Sequence, residues 1–101
     1  MNKNLKKPRN LEMYQAILTL KTEEECIHFL DDLCSVSELK AMEQRFQVAK
    51  LLREGKVYND ILEETGASSA TISRVNRSLQ YGAEGYEVVF RRLKEQEEKQ
   101  S

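Results

Sequence analysis

The stretch Tyr58–Leu79 reads YNDILEETGASSATISRVNRSL, and it decides the fold of this chain. Near its centre stands Gly66, a residue that tolerates the positive φ of a tight turn between two helices. Four apolar residues stand at offsets of −5, +1, +6 and +9 from that glycine, namely Ile61, Ala67, Ile72 and Val75. This spacing predicts a helix-turn-helix, with one helix over about 58–65 and a second one capped by Ser68 or Ser69 and ending by Gly82.

The outward face of the second helix carries short hydrogen-bonding side chains, a methyl group and two guanidinium groups. No acidic residue lies between Glu64 and Glu84. This set suits the base edges and phosphates of a DNA major groove, so we expect double-stranded DNA as a partner. The predicted DNA-binding residues are Ser68, Ser69, Ala70, Thr71, Ser73, Arg74, Asn76 and Arg77. The alternative is an ordinary pair of helices with a polar surface.

The rest of the chain also has helical periodicity, with apolar residues at intervals of three and four. Thr22 with Glu25 and Ser35 with Glu38 have capping-box spacing, and Gly55 is suited to end a long third helix. The pattern predicts six helices and no strand, an all-α fold. Because short apolar stripes leave each helix little partner surface in one monomer, we expect a core shared with a second copy, a homodimer.

The charge is unevenly distributed along the 101 residues, although the net charge is only −1. Residues 1–11 carry four basic residues and no acid, residues 12–65 carry twelve acids and six bases, and residues 66–83 carry only Arg74 and Arg77. We therefore predict a flexible basic arm over 1–10, a single helical domain over 11–94 with its helix-turn-helix at about 58–81, and a charged, frayed tail over 95–101. The arm is either a solvated tail or a phosphate contact.

The sequence lacks the residues that several classes of function require. Two cysteines make no disulfide framework, and no apolar run reaches membrane-spanning length, so we expect a cytoplasmic protein without a membrane partner. Cys26 and His28 are too few for a zinc site, so no metal is expected. One histidine and no glycine-framed serine leave no nucleophile–base pair, which argues against an enzyme, and no cofactor is expected.

Three segments resemble the Trp repressor family, close to its Trp-repressor-related bacterial branch: SELKAMEQR (37–45), LLREGK (51–56) and ETGASSATISR (64–74). The resemblance implies an all-helical, six-helix, intertwined homodimer that binds a palindromic operator and represses transcription. It covers about half of the chain strongly and the remainder by the order of its helices.

The resemblance also implies an effector pocket, in which tryptophan lies between two arginines that match Arg45 and Arg74. The family's polar residues in that pocket match Thr71 and Ser78. The residue that follows the second arginine is a glycine in the repressor and Val75 here, which puts two methyl groups where the indole plane packs. We therefore expect DNA binding that does not respond to tryptophan, or that responds to another small-molecule effector.

Two further departures from the family's pattern concern its DNA contacts. Leu62 stands where the repressor has a basic residue. The connection from Gly55 to Gly66 is one residue shorter than in the repressor. A second function stays open beside DNA binding, a protein-interaction module that uses the helix-turn-helix as a scaffold. The acidic body and the low net charge are compatible with it. A gel shift at low salt against genomic fragments separates the two.

Overall fold

The computed structural model describes residues 9–100, which contain six α-helices and no strand. The helices are α1 (Leu11–Leu18), α2 (Glu23–Leu33), α3 (Val36–Arg53), α4 (Tyr58–Thr65), α5 (Ser69–Tyr81) and α6 (Gly85–Gln100). The predicted all-α fold with six helices is confirmed. Most of the predicted basic arm lies outside the described residues, so the arm stays a prediction.

The chain divides into two compact units, and the boundary lies within α3, between Lys40 and Ala41. The helices of the first unit begin at side-chain caps. Asn10 Oδ1 accepts from the Met13 N–H, and Thr22 Oγ1 accepts from the Glu25 N–H at 3.0 Å. The Glu25 carboxylate accepts from the Lys21 N–H, one residue before the cap, and not from the cap residue itself as the capping-box spacing predicted.

The predicted capping box at the start of α3 has both of its hydrogen bonds. The Glu38 N–H donates to Ser35 Oγ at 3.1 Å, and the Ser35 N–H donates to the Glu38 carboxylate at 2.8 Å. The Ser35 N–H, and after it the Ser35 side chain, lower the pKa of the Glu38 carboxyl from its usual value, because hydrogen bonds to the carboxylate favour its charged form. The start of α3 is therefore fixed by local chemistry alone.

All seven apolar side chains that are buried within residues 9–100 lie in the second unit: Val48, Ala49, Leu51, Ile61, Ala67, Ile72 and Val75. They come from the second half of α3, from α4, from the turn after it and from α5. Leu52, Leu62, Leu79, Tyr86 and Phe90 pack against this cluster. The core therefore holds together the helix-turn-helix and the helix that precedes it.

An aromatic cluster joins α6 to α3. The ring of Phe90 lies 5.3 Å from that of Phe46 and 5.9 Å from that of Tyr86, measured between centroids. Arg53 forms an ion pair with Glu87, and its guanidinium lies 5.6 Å from the centre of the Phe90 ring. The second unit thus extends beyond the helix-turn-helix to α6.

Helix α6 continues through residues 95–100, and the predicted fraying of the tail over 95–101 stays a prediction. Those residues are good helix formers, and Glu95 precedes Lys99 at the favourable spacing of four. Within residues 9–100, no helix combines the length and apolar character that a membrane span requires.

Candidate nucleic-acid interface

The turn between α4 and α5 depends on a glycine. Gly66 has a φ of +69°, in the left-handed region, and its N–H donates to the carbonyl of Leu62 at 2.9 Å. A Cβ added at this position would meet no atom within 4 Å. The positive φ, and not a lack of space, is therefore why glycine suits this turn.

Hydrogen bonds around Thr65 fix the turn on both sides. Thr65 Oγ1 donates to the carbonyl of Ile61 at 2.7 Å and accepts from the N–H of Ala67 at 3.1 Å. The carbonyl of Thr65 accepts from the Gln44 side-chain amide at 3.1 Å. Gln44 is not among the predicted site residues. The sequence does contain a signal for Gln44. It lies four residues before Val48, and this spacing puts it on the inward face of α3.

Helix α5 begins at Ser69 and is capped by Ser68, one of the two predicted cap residues. Its Oγ accepts from the Thr71 N–H at 3.1 Å and donates to Thr71 Oγ1 at 3.0 Å. Both residues are among those predicted to bind DNA, and the structure gives both hydroxyls a role inside the helix. Thr71 Oγ1 keeps its own proton for another acceptor.

The outward face of α5, which is predicted to contact the DNA bases and is called the reading face below, is largely open to solvent. Ser69, Ala70, Ser73, Arg74 and Arg77 are exposed, while Thr71 and Asn76 are partly buried. Of the six helices described, α5 is the one whose first turn holds no acidic residue. Two guanidinium groups and an uncompensated positive helix end therefore lie on one helix, which favours contact with an anion.

The residues of the implied effector pocket fall into two environments. The side chain of Val75 is only 2% exposed and belongs to the core cluster with Val48, Ile61 and Ile72. The others are exposed or partly buried: Arg45, Arg74 and Ser78 are exposed, and Thr71 is partly buried. The residue that stands where the repressor has glycine is therefore a packed core side chain.

An open groove lies between α3 and α6, with a volume of about 580 Å³. Phe46, Phe90 and Leu93 give it an apolar floor, and Lys50, Arg53, Glu54, Lys94, Glu97 and Glu98 surround it. No pattern in the sequence predicts this groove. Its floor is more than one-third exposed at Phe46 and Leu93, so it offers a surface that another chain can cover.

Metal-binding clusters are absent from the part of the chain that the structure describes. No group of three or more His, Cys, Asp or Glu side chains there could hold a metal ion. Cys26 and Cys34 are free thiols, both partly buried.

Together, the six helices, the glycine turn and the acid-free outward face define an all-α helix-turn-helix protein. The sequence profile described as Trp repressor protein matches residues 10–94. The chain therefore belongs to the Trp repressor family, which is a regulatory and non-enzymatic family.

Three relatives show how close the likeness is. The uncharacterized protein YerC of Bacillus subtilis is 50% identical over 90 residues, which are 89% of this chain and 86% of that protein. The crystal structure of a TrpR-like protein from Eubacterium eligens has 53% identity and a TM-score of 0.83, covering 91% of this chain and 95% of that one. A candidate Trp repressor from Staphylococcus aureus has 46% identity and a TM-score of 0.84, covering 93% and 95%.

Proposed function

We propose that this protein is a sequence-specific DNA-binding regulator of transcription, a repressor, that binds a palindromic operator as a homodimer. The observation that carries the proposal is the outward face of α5. Arg74 and Arg77 are exposed there, no acidic residue lies between Glu64 and Glu84, and the first turn of the helix is free of acids. Membership in the Trp repressor family supports the same function.

In this function α5 enters the major groove. Ser69, Ala70 and Ser73 lie at the start of its exposed face, where small side chains let the backbone approach the base edges. Arg74 and Arg77 lie about one and two helical turns after Ala70 and reach either a guanine edge or a phosphate. In a homodimer the two copies of α5 would enter successive major grooves about 34 Å apart.

The exposed apolar surface supports the homodimer. Leu18 is 83% exposed and Val36 is 73% exposed, and Leu11, Ile27 and Leu33 are each at least half exposed. The floor of the groove between α3 and α6 is a second apolar surface. Large apolar patches on a small protein mark surfaces that another chain covers. A second copy covers both if its own apolar helices pack there.

The burial of Val75 supports DNA binding without tryptophan. The side chain is part of the core that joins α3, α4 and α5, so the helix-turn-helix is packed without a bound ligand. Arg45 and Arg74, which match the arginines around the family's effector, are exposed. In this proposal Arg74 serves the DNA, and no cofactor is needed.

The test begins with selection of binding sites from random double-stranded DNA, followed by anisotropy titrations on the selected site. The double variant Arg74→Ala/Arg77→Ala should lose about 1–3 kcal/mol of binding free energy for each arginine that meets a base, or show a flatter salt dependence for each that meets a phosphate. The matched control is Arg91→Ala/Arg92→Ala on α6, which removes the same charge from exposed positions.

Two results would contradict the proposal. The first is equal loss of binding in the α5 and α6 double variants, which would make the effect one of net charge. The second is a selection that enriches no site at low salt, which would favour the protein-interaction module. Calorimetry with L-tryptophan tests the remaining point: saturable binding at micromolar concentration would overturn the tryptophan-independent function.

A further inference from the structure

We propose that Gln44 is a positioning residue: its side-chain amide fixes the turn of the helix-turn-helix to α3 and strengthens binding to the specific DNA site over unrelated DNA. The inference rests on the proposed function. Its central observation is the hydrogen bond from Gln44 Nε2 to the carbonyl of Thr65, 3.1 Å long and spanning 21 positions of the chain.

The carbonyl that Gln44 binds lies at a helix end. Thr65 is the last residue of α4, and the last carbonyl groups of a helix have no partner within the helix. The Gly66 N–H bonds to Leu62, and the Thr65 hydroxyl donates to Ile61. The Gln44 amide therefore satisfies, from another helix, a partly buried acceptor beside the turn.

The other contacts between α3 and the helix-turn-helix are apolar. Val48, Ala49 and Leu51 pack with Ile61, Ile72 and Val75 in the core. Burial of apolar surface has no preferred direction, so it holds the helices together without setting the turn at one place. A hydrogen bond has a narrow range of length and angle. Gln44 supplies that directional contact.

From Thr65 the constraint passes to α5 through adjacent hydrogen bonds. Thr65 Oγ1 accepts from the Ala67 N–H, and the next residue, Ser68, caps α5 through the Thr71 N–H. Four consecutive residues thus link the Gln44 amide to the first turn of the reading helix. Without that anchor, the start of α5 gains freedom to tilt against α3.

Such freedom affects base contacts more than phosphate contacts. Short side chains at the start of α5 reach base edges only within hydrogen-bond distance, so a small tilt removes them. Arginine side chains are long and flexible and follow a phosphate through the same tilt. Loss of the Gln44 bond should therefore weaken binding to the selected site and leave binding to unrelated DNA unchanged.

The experiment compares Gln44→Met, which keeps the side-chain length and removes the donor, with Gln47→Met, the same change at an exposed position of α3. Affinity is measured for the selected site and for a scrambled duplex. We expect Gln44→Met to weaken binding to the selected site by about 3- to 10-fold, as for one lost hydrogen bond. Binding to the scrambled duplex should change less than twofold, and Gln47→Met should match wild type on both.

In a second variant, the hydrogen bond to the Thr65 carbonyl can be restored by lowering the pH. In Gln44→Glu the carboxylate faces the Thr65 carbonyl without a proton, and binding to the selected site should be weaker than in Gln44→Met at pH 7. As the pH falls through the pKa of this carboxyl, the protonated form donates an O–H to the same acceptor. Affinity relative to wild type at the same pH should then rise, while Gln44→Met stays flat.

Amide hydrogen exchange in the free protein gives a readout without DNA. The Ala67 N–H should exchange about 3- to 10-fold faster in Gln44→Met, and not in Gln47→Met. Equal loss of affinity for both duplexes, no rise of Gln44→Glu at low pH, or unchanged Ala67 exchange would each overturn the inference. If wild type binds no selected site, the proposed function fails, and with it the role in specificity; the exchange data then report on the anchoring alone.

Discussion

The two units of the chain differ in how their helices are fixed. In the second unit, from Ala41 onward, seven apolar side chains are buried in one cluster that holds the helix-turn-helix. In the first unit, no residue from 9 to 40 is buried, although its helices begin at well-formed side-chain caps. The second unit has both local signals and a core. The first has local signals and an unpaired apolar surface.

This difference shows what a capped, amphipathic helix still needs. Helices of 8 and 11 residues, the lengths of α1 and α2, are marginal in water without packing. Most helical stability in proteins comes from burial of an apolar face. A second copy of the chain supplies that burial in the proposed homodimer. The two units therefore predict different responses to mutation and to protein concentration.

The largest expected effect is in the core of the second unit. Ile72 is completely buried on α5, and Ile72→Ala should lower the free energy of unfolding by about 2–5 kcal/mol, because a cavity replaces packed side-chain atoms. The graded control Ile72→Val should cost about 0.5–1.5 kcal/mol. Urea unfolding at one fixed protein concentration measures both. Equal losses for the two variants would contradict a tightly packed core.

A charge on the apolar surface of the first unit should act on association. Leu18 is 83% exposed, so Leu18→Lys has little to disrupt in a monomer. In the proposed homodimer, a buried contact of this kind contributes about 2 kcal/mol or more, and self-association should weaken about 30-fold or more. Sedimentation equilibrium over a range of concentrations measures the change.

The control for that variant is Gln15→Lys, which adds the same charge to an exposed polar position of α1. It should leave the association constant within a few-fold of wild type. If Leu18→Lys and Gln15→Lys behave alike, the exposed apolar face of α1 is not an interface. The contrast between the two units would then be one of rigidity, with no partner surface involved.

A smaller effect is expected at the start of the reading helix. Ser68→Ala removes the hydroxyl that accepts from the Thr71 N–H, and the loss of such a cap costs about 1 kcal/mol of stability. Ser69→Ala removes the same hydroxyl group from the next residue, which is exposed, and should lower the stability by less. Thermal unfolding of the two variants tests the difference. A larger loss in Ser69→Ala would contradict the cap.

Most of the fold could be predicted because its signals are local. The helix over 58–65, a cap at either Ser68 or Ser69 and the inward residues Ile61, Ile72 and Val75 follow from spacing and from one glycine, and the structure places the cap at Ser68. The fraying of the tail over 95–101 stays a prediction. Residues 95–100 are helical because charged residues with high helix propensity continue a helix without a core.

The candidate site was less predictable because two of its contacts join distant parts of the sequence. The Gln44 bond spans 21 positions, and the Arg53–Glu87 ion pair spans 34. No periodicity within one helix reports such pairs. The roles of Ser68 and Thr71 also needed the structure, since one serine can cap a helix or bind a phosphate. Their contact with DNA, like that of the arginines of α5, stays a prediction.

The smallest expected effect is in the first unit, where local hydrogen bonds stabilise the helix start without a buried core. The pKa of Glu38 is lowered by its bonds to Ser35, so the charged form stabilises the folded state. That stabilisation is complete above the pKa of the unfolded chain and is lost as the pH falls through the lower, folded pKa. Glu38→Gln should therefore unfold at a slightly lower temperature than wild type at pH 7, and the gap should close in acid. Glu43→Gln, which removes a charge from α3 away from the cap, is the matched control for loss of charge in melting curves between pH 7 and pH 3. A pH-independent gap for Glu38→Gln would mean that the amide loses packing and not the charged hydrogen bond, and that the first unit depends on more than its caps.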